Sequence, residues 1–175
     1  MNNILAIETA SNICSVSLFI KGNLIDMQET DEPRSHAAKL PVFTYSLLKK
    51  HSYEVSDLEG IAISSGPGSY TGLRIGMSLA KGLAMSNDLP LIPVETLIAM
   101  NSAIDCEGIH WVCIHSHKNI VYAQKFKNSV SIENPICTSI ESLDSFPVFG
   151  SGLENINSTI KAKKINPSSK NIGKF

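Results

Sequence analysis

The sequence predicts an α/β protein of two lobes, the second shorter than the first. Three observations carry that expectation. Short apolar runs separated by turn residues open the chain, helix-length amphipathic segments then alternate with buried-type strands, and a second set of three strand-like runs begins near residue 109. Closely spaced strands joined by tight turns imply an antiparallel meander, whereas strand, helix and strand in succession imply parallel pairing.

The first three runs are Ile4 to Ile7, Cys14 to Ile20 and Leu24 to Met27. Ala10-Ser11-Asn12 separates the first two and Lys21-Gly22-Asn23 the last two, and the Gly-Asn pair suits a hairpin. A helix follows from about Ser35 to His51, because Leu40, Phe43, Leu47 and Leu48 gather on one face. Pro41 falls inside it and can shift its start or kink it. Gly60 to Ser65 reads as a buried strand, Gly66-Pro67-Gly68 as a turn, Tyr70 to Met85 as a second helix, Leu91 to Val94 as a strand and Glu95 to Ala103 as helical. This is the pattern of an RNase H-like lobe over residues 1–104.

The meander then begins again with Ile109 to His115, Val121 to Phe126 and Val130 to Cys137. A short helix near Glu141, a strand at Pro147 to Phe149 and the Gly150-Ser151-Gly152 turn complete a shortened second lobe, residues 105–165. The repeated opening suggests an internal duplication without residue-level repeats. Residues 166–175 are polar and aperiodic, so they are expected to form a solvated tail and to leave the second lobe unfinished.

At 175 residues, 43% apolar and 18% charged, the chain can build a hydrophobic core without disulfide staples. Cys14, Cys106, Cys113 and Cys137 are scattered, with neither a CxxC pair nor zinc-site spacing, and read as reduced structural residues. A formal net charge of −1 argues against a broad basic face for nucleic acid. The one basic cluster, Lys161, Lys163, Lys164, Lys170 and Lys174, lies near the C-terminus. No apolar stretch is long enough to span a bilayer, and the N-terminus enters a strand without the basic flank and apolar core of a secretion signal. The expected address is the cytoplasm, with no membrane partner.

Ile4-Leu5-Ala6-Ile7-Glu8-Thr9-Ala10 with Cys14-Ser15-Val16-Ser17-Leu18, and above all Ser64-Ser65-Gly66-Pro67-Gly68-Ser69-Tyr70-Thr71-Gly72-Leu73-Arg74-Ile75-Gly76, resemble the TsaB (YeaZ) family. Ser35-His36 and Pro93-Val94-Glu95-Thr96-Leu97 extend the likeness in order over about the first hundred residues. The resemblance implies the ASKHA (actin-like ATPase) fold of two RNase H-like lobes. It also implies a non-catalytic partner of the enzyme TsaD in forming threonylcarbamoyladenosine on tRNA, with a TsaE-like ATPase in the complex and tRNA met only indirectly.

The glycine-rich motif has its own physical reading. Gly66 and Gly68 permit backbone unavailable to other residues, Pro67 fixes the turn, and Ser69 or Thr71 can cap the helix that follows. The motif lacks the Gly-Lys-Ser/Thr ending of a P-loop. Gly72, Gly76, Ala80 and Ala84 recur every fourth position, a spacing that lets another helix come close, although packing inside the same lobe would use the same stripe. In the family the corresponding two helices dock TsaD. The expected partner face is therefore His36, Leu40, Phe43, Leu47, Leu73, Gly76, Met77 and Ala80, on a surface that a second copy of the chain could also use.

The turn after the first strand stands where actin-like ATPases hold phosphate but lacks the glycine that admits it. Glu8, Thr9, Ser11, Gly66 and Gly68 are the candidates for weak ATP or ADP binding with magnesium, and no tightly bound cofactor is expected. His36 is followed four positions later by Leu40, so the His-x-x-x-His metal pair of the TsaD family is incomplete. In the second lobe the family's Ile-Asp-Ala-Arg and Glu-Val-Tyr read Ile114-His115-Ser116-His117 and Ile120-Val121-Tyr122. His115 and His117 share a strand face, with His110 opposite, too few ligands for an ordinary metal site. The alternatives carried forward are a small ATP-dependent phosphotransferase or ATPase of the same fold, and an independent homodimeric interaction protein.

Overall fold

The computed structural model describes residues 3–154 and 156–175. Its first sheet contains β1 (Ile4–Glu8), β2 (Cys14–Ile20), β3 (Asn23–Thr30), β4 (Gly60–Ser64) and β5 (Leu91–Val94) in the order β3-β2-β1-β4-β5. β1, β2 and β3 pair antiparallel, while β4 runs parallel to β1 and β5 parallel to β4. Helices α1 (His36–Lys50), α2 (Tyr70–Ser86) and α3 (Thr96–Asn101) lie between the strands in sequence.

β1 is apolar from Ile4 to Ile7 because both of its faces are covered. Leu5 and Ile7 point with Val16, Leu18, Ile61 and Ile63 into the core beneath α1 and α2, which contributes Leu40, Leu47, Leu48, Ala80 and Ala84. Ala6 points the other way, toward Phe19, Ala62, Ala99 and Ile172. Alternate residues of a strand face opposite sides, so one run of five supplies two cores.

The second sheet is built from β6 (Ile109–His117), β7 (Ile120–Lys127), β8 (Val130–Ser131), β9 (Ile136–Ser139), β10 (Val148–Ser151) and β11 (Ala162–Lys164). The order is β11-β10-β6-β7-β8, with β9 also against β7. Leu97 and Met100 of α3 pack with Val112, Ile114 and Phe126 of this sheet, while Ala99 of the same helix faces the first sheet. The short helix α3 is thus shared by both lobes.

Three expectations are corrected. The run from Val130 to Cys137 is not one strand but two short ones, because the chain arches away from β7 between them. The helix near Glu141 is a single 3-10 turn, Ile140–Ser142. Residues 166–175 are not a solvated tail. They contain helix α4 (Ser169–Ile172), whose Ser169 and Ile172 are fully buried against the first sheet. The Ser169 amide donates to Ser15 Oγ at 2.9 Å, and the Ser17 and Ser169 hydroxyls share a hydrogen bond.

Candidate functional site

α1 and α2 lie side by side on the first sheet, and each buries one stripe and exposes another. In α2 the buried stripe is Gly72, Gly76, Ala80 and Ala84. A Cβ at Gly72 would strike the Thr9 carbonyl, and one at Gly76 would strike the Thr9 side chain and sit 3.1 Å from Ile63 Cδ1. The small residues therefore admit the end of β1, not a helix of another molecule. Ser69 caps the helix, its hydroxyl accepting the Gly72 amide at 3.2 Å.

This placement corrects the expected partner face. His36, Leu40, Leu47, Gly76 and Ala80 are buried within the chain, and His36 Nε2 is bound to the Ile13 carbonyl at 3.2 Å. Phe43 and Met77 are half-buried and packed against the first core, and Leu73 is half-buried beside Gly66. The stripe that faces outward is offset around each helix. On α1 it runs through Ala38, Pro41, Val42, Tyr45 and Lys49, and on α2 through Tyr70, Arg74, Ser78, Lys81 and Met85. Between the helices Ala37, Pro41, Thr71, Arg74, Ile75 and Leu79 line an open groove of about 610 Å³. Val42 is 58% exposed, Tyr45 65% and Tyr70 74% on these outward stripes. The signal that would have found the α2 residues is the four-residue repeat of Tyr70, Arg74 and Ser78, two positions out of phase with the small-residue stripe.

The other candidates cluster where β1 ends. Glu8 and Thr9 are fully buried, Ser11 is half-buried, and Gly66 is buried beside them with its amide on Thr96 Oγ1 at 3.2 Å. The Ala10 amide donates to Glu8 Oε1 at 2.5 Å, the Thr9 amide to Ser64 Oγ at 3.3 Å, and the Ser69 amide to the Ala10 carbonyl at 2.6 Å. Gly68 lies against Ala10, where a Cβ would collide with its backbone. These amides and glycines join the β1–β2 turn to the start of α2 and spend their hydrogen bonds inside the lobe. Burial is the main influence on Glu8, pushing its carboxyl from 4.5 up to about 7 against the lowering effect of the Ala10, Ser64 and Thr9 contacts.

The second lobe separates its histidines. A bulge between His115 and His117 breaks the alternation expected of them. His115 Nε2 is bound to the Lys118 carbonyl at 2.9 Å, and His117 Nδ1 lies 3.2 Å from Ser116 Oγ. His110 is fully buried, with Nε2 at 2.7 Å from Asn101 Oδ1 and its ring stacked on Phe126. No group of three His, Cys, Asp or Glu side chains among the described residues could hold a metal ion. Burial pushes the Cys14 thiol up to about 11 and the Cys113 thiol up to about 12, so neither supplies thiolate near neutral pH.

Among the described residues no helix is long and apolar enough to cross a membrane. The sequence model of the family described as "TsaD: tRNA N6-adenosine threonylcarbamoyltransferase" matches residues 30–166. The tRNA threonylcarbamoyladenosine biosynthesis protein TsaB of Escherichia coli (strain K12) is 39% identical over 97 residues, which are 55% of this chain and 42% of that protein. The matched part thus spans about two fifths of that curated relative's length. The solved structure of YeaZ from Pseudomonas aeruginosa superposes with a TM-score of 0.81 at 23% identity, covering 98% of this chain and 89% of that one. An inorganic polyphosphate/ATP-glucomannokinase from Arthrobacter superposes at 0.51 and 9% identity over 99% of this chain and 96% of that one, so the architecture is the ASKHA fold.

Proposed function

Because the chain belongs to the TsaD family, and to the TsaB proteins within it, we propose that it is a non-catalytic scaffold subunit of a tRNA threonylcarbamoyltransferase assembly. It docks a TsaD-like subunit, which transfers the threonylcarbamoyl group to the adenosine beside the anticodon. A TsaE-like ATPase joins the complex, tRNA is contacted through the partner, and the work is done in the cytoplasm. The observation that supports this reading most is the outward face of α1 and α2, where Tyr70 lines an open groove and Val42 and Tyr45 stand exposed on α1. Exposed aromatic and arginine side chains around a concave apolar surface are the usual anchors of protein contact.

Two features favour a scaffold over the ATPase alternative. The Thr9 and Ala10 amides of the β1–β2 turn are engaged within the lobe, and Glu8 is enclosed. Nucleotide chemistry is accordingly assigned to the partners. The purified chain is expected to transfer no threonylcarbamoyl group and to turn over negligible ATP. Turnover on the ordinary enzymic scale of about 1 per second or more, lost in Glu8→Ala, would establish the ATPase reading instead.

The docking face is tested with the TsaD-like subunit from the same cell. Tyr45→Ala with Tyr70→Ala is expected to weaken association about 10-fold or more without changing the far-ultraviolet circular dichroism. Met77→Arg, by contrast, is expected to destabilise the chain itself, since Met77 packs against the first core. Wild-type affinity in a folded double-tyrosine variant would remove this face from the proposal.

A further inference from the structure

The charge on the docking face is one-sided. α1 and α2 together carry Lys39, Lys49, Lys50, Arg74 and Lys81 and no Asp or Glu, in a chain whose formal net charge is −1. Lys39 is balanced by Glu32 at 3.5 Å and Lys50 by Asp26 at 2.7 Å, both outside the helices. Lys49, Arg74 and Lys81 have no ion-pair partner among the described residues, and all three lie on the exposed stripes. Two of them are seated on the exposed aromatics of the same face. Lys49 Nζ lies 5.4 Å from the Tyr45 ring centroid and Arg74 Cζ lies 5.4 Å from that of Tyr70.

Resting on the docking reading above, we propose that the occupant of this face is a protein surface bearing carboxylates, placed to meet Lys49, Arg74 and Lys81 around an apolar centre. The chemistry follows from what each occupant would bring. A second copy presenting the same face brings cations to cations with no acid from either helix pair, and like charges at an interface are strongly unfavourable. An acidic partner converts the same three groups into ion pairs at the rim of the apolar contact, where they speed encounter and select the partner. RNA fits less well, because three cations spread over two helices around exposed valine and tyrosine side chains do not form the clustered phosphate-binding track that nucleic acids require. The face therefore discriminates by charge between the two protein occupants that its apolar residues would both accept.

The experiment measures association of the chain with the TsaD-like subunit from the same cell, and self-association of the chain alone, as functions of sodium chloride concentration. Lys49→Glu, Arg74→Glu and Lys81→Glu are combined in one variant, with circular dichroism as the check on folding. All three residues are exposed, and Lys49→Gln, Arg74→Gln and Lys81→Gln serve as a milder second variant. For the wild type, partner affinity is expected to fall as salt rises, whereas any self-association strengthens. The reversed variant is expected to lose about 100-fold in partner affinity at low salt, and the neutral variant to bind with reduced salt dependence. A partner affinity independent of salt and unchanged in both variants would overturn the charge proposal while leaving the docking reading intact. Loss of binding in the double-tyrosine variant keeps that reading standing, and its absence sinks both. Binding of tRNA by the isolated chain, abolished in the reversed variant, would overturn the proposal in favour of nucleic acid.

Discussion

Glu8 ends β1 with its carboxyl fully enclosed, one oxygen held by the Ala10 amide and Oε2 without a partner among the described residues. An uncharged acid tolerates that place better than a carboxylate, which is why its pKa rises to about 7. The folded state then retains a proton that the unfolded chain releases near pH 4.5. The resulting stability is complete below about 4.5, falls as pH rises through about 7, and is level above it. The shift corresponds to a loss on the order of 3 kcal/mol. Urea unfolding between pH 5 and 8 is expected to show this slope in the wild type and to lose most of it in Glu8→Gln. An equal slope in both proteins would contradict the assignment. Asp26 titrates in another window. The Lys50 ammonium and then the His51 ring hold it well below the usual carboxylate range, so its stabilisation is lost only in strong acid.

The glycines of α2 show how one element answers two demands. Glycine costs a helix up to about 1 kcal/mol relative to alanine, yet Gly72 faces the Thr9 carbonyl with no room for a Cβ. Gly82, on the exposed side, has nothing within 4 Å of that position. Gly82→Ala is expected to stabilise the chain by about 0.5–1 kcal/mol, and Gly72→Ala to destabilise it by about 1–3 kcal/mol because backbone must move. Matching denaturant midpoints for the two variants would refute that distinction. The ends of α1 and α2 were legible in sequence to within about a residue each, since apolar periodicity and the Ser69 cap are local signals. The facing of their stripes was not, because small residues at four-residue spacing suit a neighbouring strand end as well as a neighbouring helix. α4 was also illegible. Its four residues carry one apolar side chain, Ile172, and their hydrogen-bond partners Ser15 and Ser17 lie more than 150 positions away.

At the scale of the molecule, two sheets are joined through α3 and then tied again by α4. Ile172 fills the side of the first sheet opposite α1 and α2, among Ala6, Phe19 and Ala62. Ile172→Ala is expected to cost about 2–4 kcal/mol by leaving a cavity. Thermal denaturation followed by near-ultraviolet circular dichroism checks it, and an unchanged midpoint would mean that α4 is not a structural part of the first lobe. The same helix also sets an order of events during synthesis. Ser169 bonds to Ser17 across 152 positions, so the part of the first sheet that α4 covers stays open while the second lobe is being translated. Contacts of such long sequence separation slow folding, and a half-covered sheet leaving the ribosome shows apolar surface to its surroundings. The first lobe is therefore made before the second yet closed after it, and a nascent chain stalled before residue 169 would be the form that chaperones hold.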